Sequence, residues 1–257
     1  MSKSTQTAVI AIIQARMGSS RLPCKVLADI GGKPMLARVV LRTRRARLID
    51  QVIVATTTDP NDDPIETYCL SEGFSCFRGD PYDVLDRYFQ SAKLYKADPI
   101  VRITADCPLI DPDEIDRTLE GFFAHKVDFA SNRLPPPWKR TTPIGMDTEV
   151  VSFEALTRAW REAEAKYARE HVMPYLYEQQ GRFKTLLVQY EPDLGHLRLT
   201  VDTLQDLQLV REIYAAFGNR DDFTLSDILR LLDEEPQLLA INADVTHKSY
   251  QEVDESA

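Results

Sequence analysis

The chain has 257 residues, enough for one large α/β domain or two small ones at about 150 residues per domain. Hydrophobic residues make up 44% of it and charged residues 28%, close to the globular average, which excludes disordered, collagen-like and coiled-coil classes. The formal net charge of −9 argues against nonspecific nucleic-acid binding; no apolar run approaches the ~20 residues of a bilayer span, and Met1 to Thr7 is polar with no signal-peptide core after it, so a cytoplasmic protein is expected.

Ala8 to Gln14 (AVIAIIQ) reads as a strand buried on both faces of a parallel sheet. After a loop, Pro34 to Leu48 reads as a helix whose Arg38, Arg42, Arg44, Arg45 and Arg47 form a mostly solvated basic face. Strand and helix then alternate: Gln51 to Thr57, Asp63 to Glu72, Ser75 to Arg78, Asp83 to Lys96, Ile100 to Thr104, and a helix opened by Asp111 and Pro112 that runs to about His125. Strict alternation predicts right-handed βαβ units and a parallel sheet. Asn132 to Gly145 (NRLPPPWKRTTPIG) is too rich in proline for regular structure and reads as a long loop at a site or an interface. Strands are expected at Thr148 to Phe153, Phe183 to Tyr190 and Leu197 to Val201. Helices are expected over Glu154 to Gln180, Leu204 to Phe217 and Leu225 to Asp233.

In parallel sheets ligands bind beyond the carboxyl ends of the strands, where the loops after Gln14, Thr57, Arg78 and Thr104 converge. Charge is concentrated at the first of these. Residues 1–50 carry ten lysines and arginines against two aspartates, which points to an anionic, phosphate-bearing ligand. The four cysteines show neither a C-x-x-C pair nor zinc-ligand spacing, so buried free thiols are expected.

Three stretches could carry chemistry. Gln14 to Lys25 (QARMGSSRLPCK) follows the first strand; Gly18, Ser19 and Ser20 can present backbone N–H groups while Arg16, Arg21 and Lys25 neutralise phosphate charge. It is neither a Walker loop nor a dinucleotide fingerprint, and a basic solvated loop is the plainer alternative. In TADCPLIDPDEID, Asp106 ends a strand, while Asp111 and Asp113 form a D-x-D in which Asp111 reads as a helix N-cap. In RLTVDTLQDL, Asp202 repeats the strand-end position, and Asp206 one turn on reads as surface or cap. Two strand-end carboxylates can hold Mg²⁺ together with phosphate oxygens, with N-capping by Asp202 the alternative.

Taken together, these stretches resemble the cytidylyltransferases that make CMP-activated acid sugars, most closely the spore coat polysaccharide biosynthesis protein F branch. The further marks are GGKPML at Gly31 to Leu36, VIVATTTDPNDDPI at Val52 to Ile65, FRGDPYDVLDRY at Phe77 to Tyr88, PIGMDTEV at Pro143 to Val150 and REHVMPYLY at Arg169 to Tyr177. The resemblance implies a Rossmann-like α/β nucleotidyltransferase, a mostly parallel sheet with helices on both faces. One domain would span 1–257, with a smaller acceptor and dimerisation region at about 132–196. It implies that a substrate oxygen attacks the α-phosphorus of CTP with loss of pyrophosphate, in surface polysaccharide biosynthesis, by a homodimer.

By motif, Arg16 and Lys25 are the expected catalytic residues, holding the triphosphate. Ala15, Gly18, Ser19, Ser20 and Arg21 support them in the same loop. Arg78, Asp83 and Arg87 are expected at the nucleoside pocket, Asp106 and Asp202 on Mg²⁺, and Asn132, Gly145, Asp147, Glu149 and His171 at the acid acceptor. The chain departs from the family at Cys24, where glycine usually precedes the lysine; if that position needs a positive φ, the side chain costs roughly 1–2 kcal/mol. Two other readings remain. A metal-dependent glycosyltransferase would use Asp111 and Asp113 as its metal motif, and a catalytically inactive nucleotide-binding protein would need no metal carboxylate pair.

Overall fold

A computed structural model describes residues 7–246. The apolar run Ala8–Gln14 forms β1, and Gln51–Thr57 (β4) and Ala97–Thr104 (β6), both with β-branched residues, pair parallel on either side of it, with Ser75–Gly79 (β5) parallel beyond β4. Between β1 and β4 lie a two-residue hairpin, Asp29–Ile30 (β2) with Lys33–Pro34 (β3), and helix α1, Met35–Thr43. The seven-stranded sheet is completed by Phe129–Ser131 (β7), Glu149–Val151 (β8) and Thr185–Leu187 (β9), in the order β5-β4-β1-β6-β8-β7-β9. The expected parallel sheet is therefore mixed at one side: β8 runs antiparallel to both β6 and β7.

Helices cover both faces. On one, α1, Asp63–Ser71 (α2), Pro112–His125 (α4), Leu204–Ala216 (α8) and Leu225–Glu234 (α9) share a core with Ile13, Val54 and Val101. On the other, Val84–Tyr95 (α3), Phe153–Glu162 (α5), Lys166–His171 (α6) and Pro174–Tyr177 (α7) pack on Ile10, Ile12 and Ile53. Alternate residues of β1 thus feed opposite cores, as the period of two requires.

Several boundaries differ from the sequence pattern. The helix expected to Leu48 stops at Thr43. Arg38 and Arg42 are wholly buried rather than solvated. Arg38 donates to the carbonyls of Ile30, Gly31 and Asn219 and pairs with Asp221, and its guanidinium stacks on Tyr214; Arg42 donates to Ile110 and stacks on Phe223. Periodicity cannot anticipate this, because the acceptors are carbonyl ends from remote segments. The helical stretch after Glu154 is three helices, not one or two, and ends at Tyr177, since Pro174 starts a new turn. The strand expected over Phe183 to Tyr190 is only β9.

Leu197 to Val201 is not a strand but a splice. Leu199 N–H donates to Ile144 (2.7 Å) and Val201 N–H donates to the Asp106 carbonyl (2.9 Å), fastening this segment between the proline-rich loop and the end of β6. Gly145, with φ +104°, is required here. A Cβ would lie 2.6 Å from the Leu199 carbonyl carbon. This junction sets Asp202 beside Asp106.

Candidate active site

A cleft of about 350 Å³ opens at the carboxyl ends of β1 and β6. Its floor is the loop from Gln14 to Lys25, which leaves the sheet and folds back on itself, Cys24 N–H donating to the Met17 carbonyl at 2.9 Å. Asp62, buried after β4, anchors the loop from behind by accepting from Met17 N–H at 2.6 Å. Cys24 occupies the left-handed region (φ 59°) with an exposed side chain, so this position does need the conformation glycine adopts freely. Lys25 then opens a 3-10 turn that aims its side chain into the cleft.

The Lys25 ammonium lies 3.0 Å from Asp106 Oδ2, 2.8 Å from Asp202 Oδ1 and 2.8 Å from the Val201 carbonyl. Burial alone would lower the lysine's pKa, but the two carboxylates outweigh it and hold it above its ordinary value. Asp202 also meets Arg21 and Arg198, each at 2.9 Å from Oδ2. Burial pushes the Asp202 carboxyl up, yet these three cations bring it down to about 2.

Among the described residues no group of three or more His, Cys, Asp or Glu converges. Mg²⁺, however, needs only one or two carboxylates when phosphate oxygens and water complete its octahedron. Asp106 and Asp202 fit that requirement, because a cation already sits between them in the form of the Lys25 ammonium.

Ala15, Arg16, Gly18, Ser19, Ser20, Arg21, Lys25, Arg87, Asp106, Asp147, Glu149, His171 and Asp202 all line the cleft. Arg87 stands apart energetically. It is 2% exposed, its Nε has no hydrogen-bond partner, and among the described residues no carboxylate pairs with its guanidinium. Burial depresses its pKa, and the nearby charge of Arg16 adds to the effect.

Three expected ligand contacts lie outside the lining. Arg78 turns back to α2, pairing with Asp63 (2.6 Å) and Glu66 (2.8 Å) and donating to the Thr57 carbonyl. Asp83 caps α3 by accepting from Asp86 N–H (2.8 Å) and pairs with Arg169. Asn132 is buried, donating to the Met146 carbonyl and accepting from Thr148 N–H. All three hold loops whose backbone polar groups need partners, a demand that a motif does not display.

At the far end of the cleft, Glu149 pairs with Arg102, which also donates to Gln14, and Asp147 is held by Arg140 at 2.5 and 2.9 Å. Arg102 and Arg133 were missing from the sequence pattern. Arg102 lies mid-strand on β6, and its alternation with Val101 and Ile103 is the signal the sequence offers. Among the described residues Arg133 makes no side-chain hydrogen bond or ion pair, and it borders the cleft beside Tyr177. Tyr177 is buried in the core, and Tyr167 and Tyr175 pack partly buried against it while their hydroxyls donate to Glu178 and Glu162. Asp111 is buried, accepting from Asp113 N–H (2.8 Å) and from Leu225 N–H, so the D-x-D is a helix cap rather than a metal motif. Asp206 is wholly buried rather than surface, and it completes the capping box of α8.

A cytidylyltransferase family profile matches residues 10–241. The spore coat polysaccharide biosynthesis protein SpsF of Bacillus subtilis is 32% identical over 235 residues, covering 89% of this chain and 95% of its own. The structure of a cytidylyltransferase from Leptospira borgpetersenii superposes with a TM-score of 0.86 at 32% identity, over 94% of this chain and 100% of that one. CMP:2-keto-3-deoxy-manno-octonic acid synthetase complexed with CTP shares the fold, with a TM-score of 0.63 at 21% identity over 82% and 99% of the two chains.

Proposed function

The chain belongs to the cytidylyltransferase family, and we propose that it activates a small acid, of the sugar-acid class, as its CMP conjugate with release of pyrophosphate, for the synthesis of a surface polysaccharide. The observation that carries this reading is Arg87. A buried guanidinium whose Nε has no partner and which no carboxylate pairs with among the described residues, lining the same cleft as Arg16, Arg21 and Lys25, is costly unless an anion of several charges fills that cleft. A nucleoside triphosphate is such an anion. The family match, with the name of the CTP-bound structural neighbour, supports cytidine as its base.

In this reading Arg16 and Arg87 meet phosphate oxygens, Gly18 to Ser20 offer backbone N–H groups, and Lys25 moves from the carboxylates to the α-phosphate, where charge grows as the acceptor oxygen attacks. As the acceptor hydroxyl oxygen bonds to the α-phosphorus, the bond from that phosphorus to the bridging oxygen breaks, pyrophosphate carries away the electron pair, and the hydroxyl proton is lost to water. Asp106 and Asp202 would hold Mg²⁺, which neutralises phosphate charge when bound. Arg102 and Arg140 are already neutralised by Glu149 and Asp147, so the acceptor's anionic group is assigned to Arg133, which lines the cleft and pairs with no carboxylate among the described residues.

Pyrophosphate release measured with CTP, Mg²⁺ and a panel of sugar acids, phosphosugars and phosphonates tests the reading. Turnover of an acid with CTP alone among the nucleotides supports it. Transfer from a nucleotide sugar instead would favour the glycosyltransferase reading, which the capping role of Asp111 leaves without its metal motif.

A further inference from the structure

The carboxylate of Asp202 is gripped differently at its two oxygens. Oδ1 faces Lys25 in the cleft, while Oδ2 is shared by Arg21, a residue of the phosphate loop, and Arg198, which lies beneath. Arg21 and Lys25 line the cleft and are available to phosphate. Arg198 is not: its side chain is 7% exposed, and it is committed on its inner side to Asp206, Nε to Oδ1 and Nη2 to Oδ2, both at 2.9 Å.

Asp206 is 0% exposed and holds more than the arginine. Its Oδ2 accepts from the backbone N–H groups of Asp202 and Thr203, both at 3.0 Å, so it fixes the main chain of the residue whose side chain Arg198 holds. Asn242, from the far end of the described chain, closes the set by donating to Asp206 Oδ1 at 2.9 Å and to the Arg198 carbonyl at 3.1 Å. A helix cap alone needs only Asp206 and Thr203. The arginine fork and the asparagine are surplus to capping: Arg198 reaches on to Asp202 Oδ2, and Asn242 braces Arg198 and Asp206 from behind.

We propose that Arg198 is the positioning residue for Asp202, with Asp206 and Asn242 as its supports: the relay pins Oδ2 from below so that Oδ1 stays aimed at the cleft when Lys25 leaves for the nucleotide. The assignment rests on the nucleotidyltransferase reading and extends it to residues that touch no substrate. Partners of this kind restrict a carboxylate ligand to one orientation, and their loss typically weakens metal binding 10- to 100-fold.

The test uses the full chain. Because Arg198→Met alone would strand the buried Asp206 charge, the main variant is Arg198→Met with Asp206→Asn, with Arg198→Lys and Asn242→Ala as milder companions. Folding is checked by circular dichroism, CTP affinity is measured by calorimetry in EDTA, and Mn²⁺ affinity in the CTP complex is read from the electron paramagnetic resonance of free Mn²⁺. The double variant is expected to keep CTP affinity within about threefold while Mn²⁺ binding weakens at least tenfold. Arg198→Lys should fall between it and wild type, and Asn242→Ala should shift in the same direction by a few fold. Unchanged Mn²⁺ affinity in the folded double variant overturns the relay; should that variant fail to fold, unchanged Mn²⁺ affinity in both companions overturns it. Parallel loss of CTP and Mn²⁺ affinity overturns it too, by making Arg198 a nucleotide contact or a general support. A wild-type protein that does not bind CTP sinks the nucleotidyltransferase reading itself and the relay's purpose with it.

Discussion

The ammonium of Lys25 sits 2.8 Å from Asp202 Oδ1, with Asp106 at 3.0 Å on its other side, so before any ligand arrives the lysine is the counter-ion of this carboxylate pair. A divalent cation entering the same place meets a positive charge already there. Without nucleotide, wild-type protein is expected to bind Mn²⁺ weakly, and Lys25→Met to bind it at least about tenfold more tightly, since the substitution removes the competitor. Paramagnetic titration of both proteins decides this. Equal affinities would mean that Lys25 does not stand where the metal goes.

In turnover the same lysine has the opposite effect. Lys25→Ala and Arg16→Ala are each expected to lower kcat by about 10²–10³ while the fold persists, the scale lost with one electrostatic stabiliser. A change confined to KM would show ground-state binding only.

Arg87 separates stability from function. Replacing its guanidinium, which pairs with no carboxylate among the described residues, by an apolar chain of similar length removes a buried charge, so Arg87→Met should raise the stability of the unliganded protein by about 1–3 kcal/mol. Calorimetric CTP affinity should fall at the same time by at least about a hundredfold. A destabilised variant with intact CTP binding would show that Arg87 is a structural residue.

At Cys24 the left-handed backbone (φ 59°) carries a side chain that is exposed and caps nothing by hydrogen bonding. Cys24→Gly should relieve that strain and raise stability by about 0.5–1 kcal/mol, after allowing for the freedom glycine adds to the unfolded chain. Thermal unfolding reads the change, and a lowered Tm would contradict it.

Acid should weaken the unliganded protein partly through Asp202. Its carboxyl lies at about 2 against an ordinary 3.8. The folded state therefore binds this proton less readily than the unfolded chain does. The stability it contributes, roughly 2 kcal/mol, is complete above the ordinary value and is lost as pH falls from near 4 towards 2. Asp202→Asn should flatten that part of a urea-unfolding series recorded against pH. An unaltered acid limb would argue that the Lys25, Arg21 and Arg198 contacts contribute little.

Alternation of apolar runs with helical periods carried most of the fold in the sequence. The first four long strands, the helices between them and the placement of a site beyond their carboxyl ends all follow from local patterning, because each element's hydrophobic period is a property of its own residues. The cationic loop from Arg16 to Lys25 and the strand-end Asp106 were legible for the same reason, since charge placed just after an apolar strand has only the crevice to face, whereas Asp202 follows a segment that is no strand and reaches the cleft through the Leu199 and Val201 backbone bonds. Partnership was not legible. Whether an arginine is solvated, like the exposed Arg47, or walled in under Tyr214, like Arg38, depends on carbonyls and rings brought from distant segments. Arg78 and Arg87 stand nine positions apart in one motif, yet the fold turns Arg78 outward to Asp63 and Glu66 and shuts Arg87 inside with no carboxylate pairing it among the described residues. Hydrogen bonding and desolvation are decided by what surrounds a polar group, and only the tertiary structure supplies the surroundings.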